Sequence, residues 1–142
     1  MRKTAKILSL SLALLFVLFA FAACVKGVAR EGLWKEATYN TDKTFGKGAT
    51  TITLVVIAED QSVTFTIKTD KEMLGDALLE HGLIEGENST YGLMVNKVNG
   101  MEASWEKDQA YWALYIGSDY AMTGVDSTPV TAGTQYGFTY TK

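Results

Sequence analysis

TTITLVVIAEDQSVTFTIKT, residues 50–69, holds two strands joined by a turn. Thr50–Ala58 is β-branched and apolar on both faces, the composition of a buried strand. Glu59–Ser62 is polar and reads as the turn. Val63, Phe65 and Ile67 then alternate with Thr64, Thr66 and Lys68, the pattern of a strand with one wet face. The two segments predict a β-hairpin.

On its C-terminal side, Thr69 and Glu72 have the spacing of a capping box. Leu74, Ala77, Leu78 and His81 recur at i, i+3, i+4 and i+7, so a helix is expected over 70–81. Gly82 and Leu83 suit its C-terminal cap. Glu85–Thr90 reads as a loop and Tyr91–Val98 as a strand. Asn99-Gly100 signals a tight hairpin, returning through Met101–Trp105. Ala110–Ile116 is a further strand, Gly117–Gly133 a long polar loop, and Tyr136, Phe138 and Tyr140 alternate in a last strand. The order β-β-α-β-β-β-β predicts an α+β fold, one helix packed on a mostly antiparallel sheet. It is also the order of a β-grasp.

On the N-terminal side the chain opens with Arg2, Lys3 and Lys6, an apolar run from Ile7 to Ala20, and Phe21-Ala22-Ala23-Cys24. A positive start, an apolar segment and small residues before a cleavage point make a secretory signal. The small-small-Cys ending resembles the lipobox of bacterial lipoproteins, with Phe21 in place of the usual Leu. That resemblance implies that Cys24 is the lipid attachment site and the mature N-terminus. An uncleaved membrane anchor is the alternative, since the apolar stretch approaches the ~20 residues that span a bilayer. In either case the remainder is expected on the extracytoplasmic face of a bacterial cell membrane. The expected organisation is a signal at 1–23, a tether at 24–48 whose second half is partly packed, and one domain at 49–142.

Removing 23 of 142 residues leaves 119, enough for one small domain. The signal holds three of the 13 basic residues and none of the 16 acidic ones, so the mature part has a net charge near −6. That balance argues against nucleic acid, whose binding needs Lys and Arg against phosphates. With one Cys and one His, neither a disulfide nor a Cys- or His-rich metal site is expected, and no cofactor. His81 closes the expected helix, where it suits the dipole. No nucleophile elbow, P-loop or dinucleotide fingerprint is present, so no enzyme is expected. Asp119 and Asp126 flank the long loop at a spacing that matches no EF-hand.

Aromatic residues are the remaining chemistry: Trp105, Tyr111, Trp112, Tyr115 and Tyr120 fall within sixteen positions. In Ala110–Ile116 the uniformly apolar Trp112/Leu114/Ile116 face suits the core. Tyr111 and Tyr115 then line the other face, where amphipathic rings suit recognition. Tyr111, Trp112, Tyr115 and Tyr120 are the candidate ligand-binding residues.

Thr69–Leu83, Val98-Asn99-Gly100, Tyr111-Trp112, Gly124-Val125-Asp126, Ala132-Gly133 and Phe138-Thr139-Tyr140 together resemble the transcobalamin-like C-terminal domain, a family of unknown function common in bacterial surface lipoproteins. The resemblance runs from about Leu33 to Lys142. It implies a β-grasp fold whose Tyr-Trp strand and following loop face a ligand, with a corrinoid such as cobalamin the first candidate. Two features depart from the vitamin carriers: the large helical domain is not in this sequence, and Ala113 stands where they have Gln. Another small ligand, or a cell-surface protein bound for adhesion or assembly, is the alternative partner, beside the membrane reached through the lipid.

Overall fold

The expected hairpin forms the middle of a six-stranded sheet. In the computed structural model, which describes residues 27–142, β2 (Thr50–Ala58) and β3 (Gln61–Thr69) pair antiparallel along their full length, with Ala58 opposite Gln61. The turn is therefore two residues, Glu59 and Asp60, both left-handed (φ 51° and 62°) as such hairpins require. The signal segment, Cys24 and its lipid attachment lie outside the described residues.

β1 (Lys43–Phe45) lies parallel to β3 at one end of the sheet. β9 (Gln135–Thr141) pairs parallel with β2 on one side and antiparallel with β7 (Tyr111–Ile116) on the other. β8 (Asp119–Tyr120) closes the other end, giving the order β1-β3-β2-β9-β7-β8. A second sheet contains β4 (Ile84–Ser89), β5 (Gly92–Val98) and β6 (Met101–Glu102). Two short helices, α1 (Leu74–Leu79) and α2 (Trp105–Asp108), complete an α+β fold.

Alternation decides the core. Ile52, Leu54, Val56, Phe65, Ile67, Tyr136 and Phe138 face one side of the large sheet and are buried. Leu74, Ala77 and Leu78 of α1, with Ile84, Val98 and Met101, close over them. Within residues 27–48, Trp34 is fully buried and its indole Nε1 donates to the Ala58 carbonyl at 2.9 Å. No helix among the described residues is long and apolar enough to cross a membrane.

Several local expectations are corrected. The helix begins at Leu74, not Asp70, because Thr69 ends β3 and its hydroxyl accepts from Lys71 N, so no capping box forms. Residues 70–73 instead run beside the late loop, where Val130 N donates to Glu72 O and Met73 bridges Pro129. The expected loop Glu85–Thr90 is mostly β4, joined to β5 across Thr90 and Tyr91. Trp105 opens α2 instead of ending a strand, its first turn capped by Ser104 Oγ accepting from Lys107 N. Asn99-Gly100 makes the expected tight turn, both residues at positive φ, between β5 and β6.

Candidate functional site

β7 is paired unevenly, and that creates the site. Along Tyr111–Ile116 it bonds β9, but β8 covers it only at Tyr115 and Ile116. Gly117 N donates to Gln135 O, and Ala121 N donates to Leu114 O. Alternation of an antiparallel ladder then aims the backbone N–H and C=O of Trp112 away from β9, at an edge with no strand beside it among the described residues.

That edge borders a cleft of about 280 Å³ lined by Leu93 and Val95 of β5, Tyr111, Trp112 and Leu114 of β7, and Tyr120 of β8. Its walls are fixed. The indole Nε1 of Trp112 donates to Met101 O at 3.1 Å, and its ring meets Tyr140 edge to face at 5.5 Å. Asp126, in the 3₁₀ turn Val125–Ser127, accepts from Leu93 N at 2.8 Å, tying the late loop to β5. Thr128 Oγ donates to Gly124 O, and Tyr136 Oη donates to Pro129 O while accepting from Thr131 N. The segment read from sequence as a long polar loop is thus a pinned wall.

Three of the four candidate ligand residues reach this cleft: Tyr111, Trp112 and Tyr120. Tyr111 and Tyr120 are exposed, 40% and 53%, whereas Trp112 is buried. Tyr115 does not line it. It shares the outer face of the sheet with Tyr111 and Tyr120, set back from the cleft with its ring edge-on to Tyr120 at 5.7 Å. Sequence reading missed Leu93 and Val95, because nothing in Gly92–Val98 signals which edge faces another sheet.

A larger cleft, about 630 Å³, is lined by Glu36, Glu59, Glu102, Asp108, Lys107 and Tyr140, among others. Tyr140 is held above its ordinary pKa by partial burial first, then by the negative charges of Asp108 and Glu59. Its lining mixes carboxylates with lysines and lacks the apolar floor of the smaller cleft, which is the better place for an organic ligand. Among the described residues, no group of three or more His, Cys, Asp or Glu side chains is placed to hold a metal ion. Asp126 is engaged with Leu93, and Asp119 lies in β8 opposite Ile116. His81 packs against the Phe45 ring with Nε2 buried and 3.8 Å from Glu80 Oε2.

No model of a known protein family matches the chain, nor does any curated protein. Among solved structures it is similar to a candidate metal-binding protein from Ruminococcus gnavus ATCC 29149, at 30% identity and a TM-score of 0.63, over 66% of this chain and 97% of that one. This chain belongs to the family of that protein. It is also similar to haptocorrin in complex with Cbi, at 17% identity and a TM-score of 0.54. That match covers 69% of this chain and 26% of haptocorrin, and it is a likeness of fold. The transcobalamin-like resemblance read from the sequence is thus supported at the level of fold.

Proposed function

We propose that this chain is a non-enzymatic binding module, lipid-anchored through Cys24 on the extracytoplasmic face of a bacterial membrane, built on a β-grasp plan. Its cleft between β5 and β7 takes the rim of a flat, amide-fringed small molecule of the corrinoid class. The observation that carries the reading is the cleft itself: an apolar floor, two exposed tyrosines at its mouth, and a strand edge at Trp112 that is unpaired among the described residues. Free backbone donors and acceptors suit ligand amides, and the tyrosine rings suit a flat apolar body. The fold shared with part of haptocorrin supports that ligand class. A corrinoid brings its own cobalt, so it needs no metal-ligand set from the protein.

The cleft volume, about 280 Å³, falls just below the ~300–1,000 Å³ of ordinary ligand pockets. It suits one edge of such a molecule, the rest being covered by a second surface. The same unpaired edge favours a second reading, an adhesion or assembly module that adds an extended segment of a surface protein to β7.

The test is a titration of the full-length chain in detergent with cobinamide and with cobalamin, followed by tryptophan fluorescence and calorimetry. A saturable response is expected, weakened tenfold or more by Tyr111→Ala or Tyr120→Ala at unchanged thermal midpoint. No saturable response to either probe overturns the corrinoid reading. The anchor is tested separately by labelling cells with radioactive fatty acid. Wild type should carry label, and Cys24→Ser should not.

A further inference from the structure

The outer face of the large sheet extends well beyond the cleft, which it meets at Tyr111 and Tyr120. Strand registers set its side chains in rows. Thr64, Val55, Gly137, Tyr115 and Tyr120 form one, and Ser62, Ile57, Thr139 and Ala113 the next. Thr66, Thr53 and Gln135 lie on one side of these rows, and Thr141 with Tyr111 on the other. The buried side chains of α1 belong to the opposite, core side. On the outer face Ile57, Tyr111 and Tyr120 are exposed, and only Ala113, set between Tyr111 and Tyr115 on its strand, is buried.

The chemistry of this face is unusual for a wet sheet. None of these fourteen positions carries a charge, although 20% of the chain is Asp, Glu, Lys or Arg. At the margin stand Lys68, opposite Thr51, and Asp42, whose Oδ1 accepts from Thr64 N at 2.8 Å. Exposed sheet surfaces ordinarily carry interspersed charges for solubility. An uncharged face is complementary to an uncharged partner, since a charged one would lose hydration here and gain no counter-charge. What the face offers instead is hydroxyls, from five threonines and Ser62, and phenol rings. Tyr111 and Tyr115, four residues apart on β7, are separated by roughly 13 Å along the strand. Small residues, Ala113 and Gly137, leave shallow ground beside the rings.

We infer that this outer face is a docking surface for a neutral polysaccharide, whose apolar C–H faces stack on Tyr111 and Tyr115 while its hydroxyls bond the threonine rows. Tyrosine serves this role because its ring is apolar and its hydroxyl is polar. Tyr111 and Tyr120 border both this face and the β5–β7 cleft, so the face is tested at Thr139 and Val55, which do not line the cleft.

The experiment sediments the full-length chain in detergent with suspended xylan and with cellulose, using carboxymethyl-cellulose as the charged comparison. Thr139 and Val55 lie at the centre of the face and outside the cleft. Retention on a neutral polymer is expected, unaffected by about 0.5 M NaCl because no ion pair contributes. Thr139→Lys and Val55→Glu should each reduce it tenfold or more, while Thr139→Ser preserves it and all three keep the thermal midpoint and the cobinamide response of wild type. Absence of retention on both neutral polymers overturns the inference, as does equal retention by Thr139→Lys. A wild-type dimer in sedimentation equilibrium that Thr139→Lys dissociates also overturns it, since the face then meets a second copy of the chain.

Discussion

The indole Nε1 of Trp112 donates a 3.1 Å hydrogen bond to the carbonyl of Met101, joining the six-stranded sheet to the three-stranded one. Trp112 is 6% exposed, and its ring also meets Tyr140 edge to face. Its place is therefore structural as well as adjacent to the cleft. Trp112→Ala should cost about 3–5 kcal/mol through cavity formation. Tyr111→Ala, one residue away on the exposed face, should cost much less. Urea unfolding of both variants checks this, and equal losses would show that Tyr111 is also core.

Trp34 makes the equivalent anchor at the other end of the chain. It is fully buried, and its indole donates to Ala58 O at 2.9 Å at the end of β2. Trp34→Phe keeps most of the volume but leaves that buried carbonyl without its donor, at a cost of about 1–3 kcal/mol. Trp34→Ala should cost about 3–5 kcal/mol. If both were neutral in thermal unfolding, residues before β1 would not belong to the cooperative unit.

Asn99 serves two functions at one position. It adopts φ 51° in the β5–β6 turn, and its buried side chain pairs both ways with Tyr39, accepting from the amide at 3.0 Å and donating to the carbonyl at 2.7 Å. Asn99→Gly keeps the backbone conformation and loses both bonds, so a destabilisation of about 1–3 kcal/mol is expected. Asn99→Asp retains the acceptor, loses the donor and buries a carboxylate, and should be the worse of the two at neutral pH. Comparing the two thermal midpoints at pH 7 decides the order.

Tyr140 supplies an alkaline dependence. Its folded pKa is raised above the ordinary 10.0 by partial burial and by the nearby charges of Asp108 and Glu59. A group that binds its proton more tightly when folded contributes its stability in full below the unfolded pKa, and loses it as pH rises through the folded value. The thermal midpoint should therefore fall as pH rises above about 10, and Tyr140→Phe should flatten part of that decline. An identical alkaline slope in the variant would assign it to other groups.

The hairpin of β2 and β3 was legible because each signal is local: β-branched residues, strict alternation and a polar turn. The Asn99-Gly100 turn was legible for the same reason. The start of α1 was not, because the contest between Thr69 as a cap and Thr69 as the last strand residue is settled by remote partners. Val130 and Pro129 hold residues 72–73, some sixty positions away. Likewise Glu85–Ser89 lacks apolar alternation, and becomes a strand through pairing with β5. In the candidate site, Tyr111 and Trp112 were readable from period two. Their meeting with Leu93 and Val95 depends on how two sheets pack, which no spacing in the chain encodes.

β9, residues 135–141, lies between β2 and β7, near the centre of the large sheet. β2 must therefore wait for a partner some eighty residues downstream, and until it arrives the hairpin and β7 belong to separate fragments. Closing so long a loop before any contact repays it makes the step slow. The domain is thus expected to complete itself only after the whole of β9 has been synthesised. Under the export proposed above, a chain still lacking β9 can thread through a secretion channel without first having to unfold.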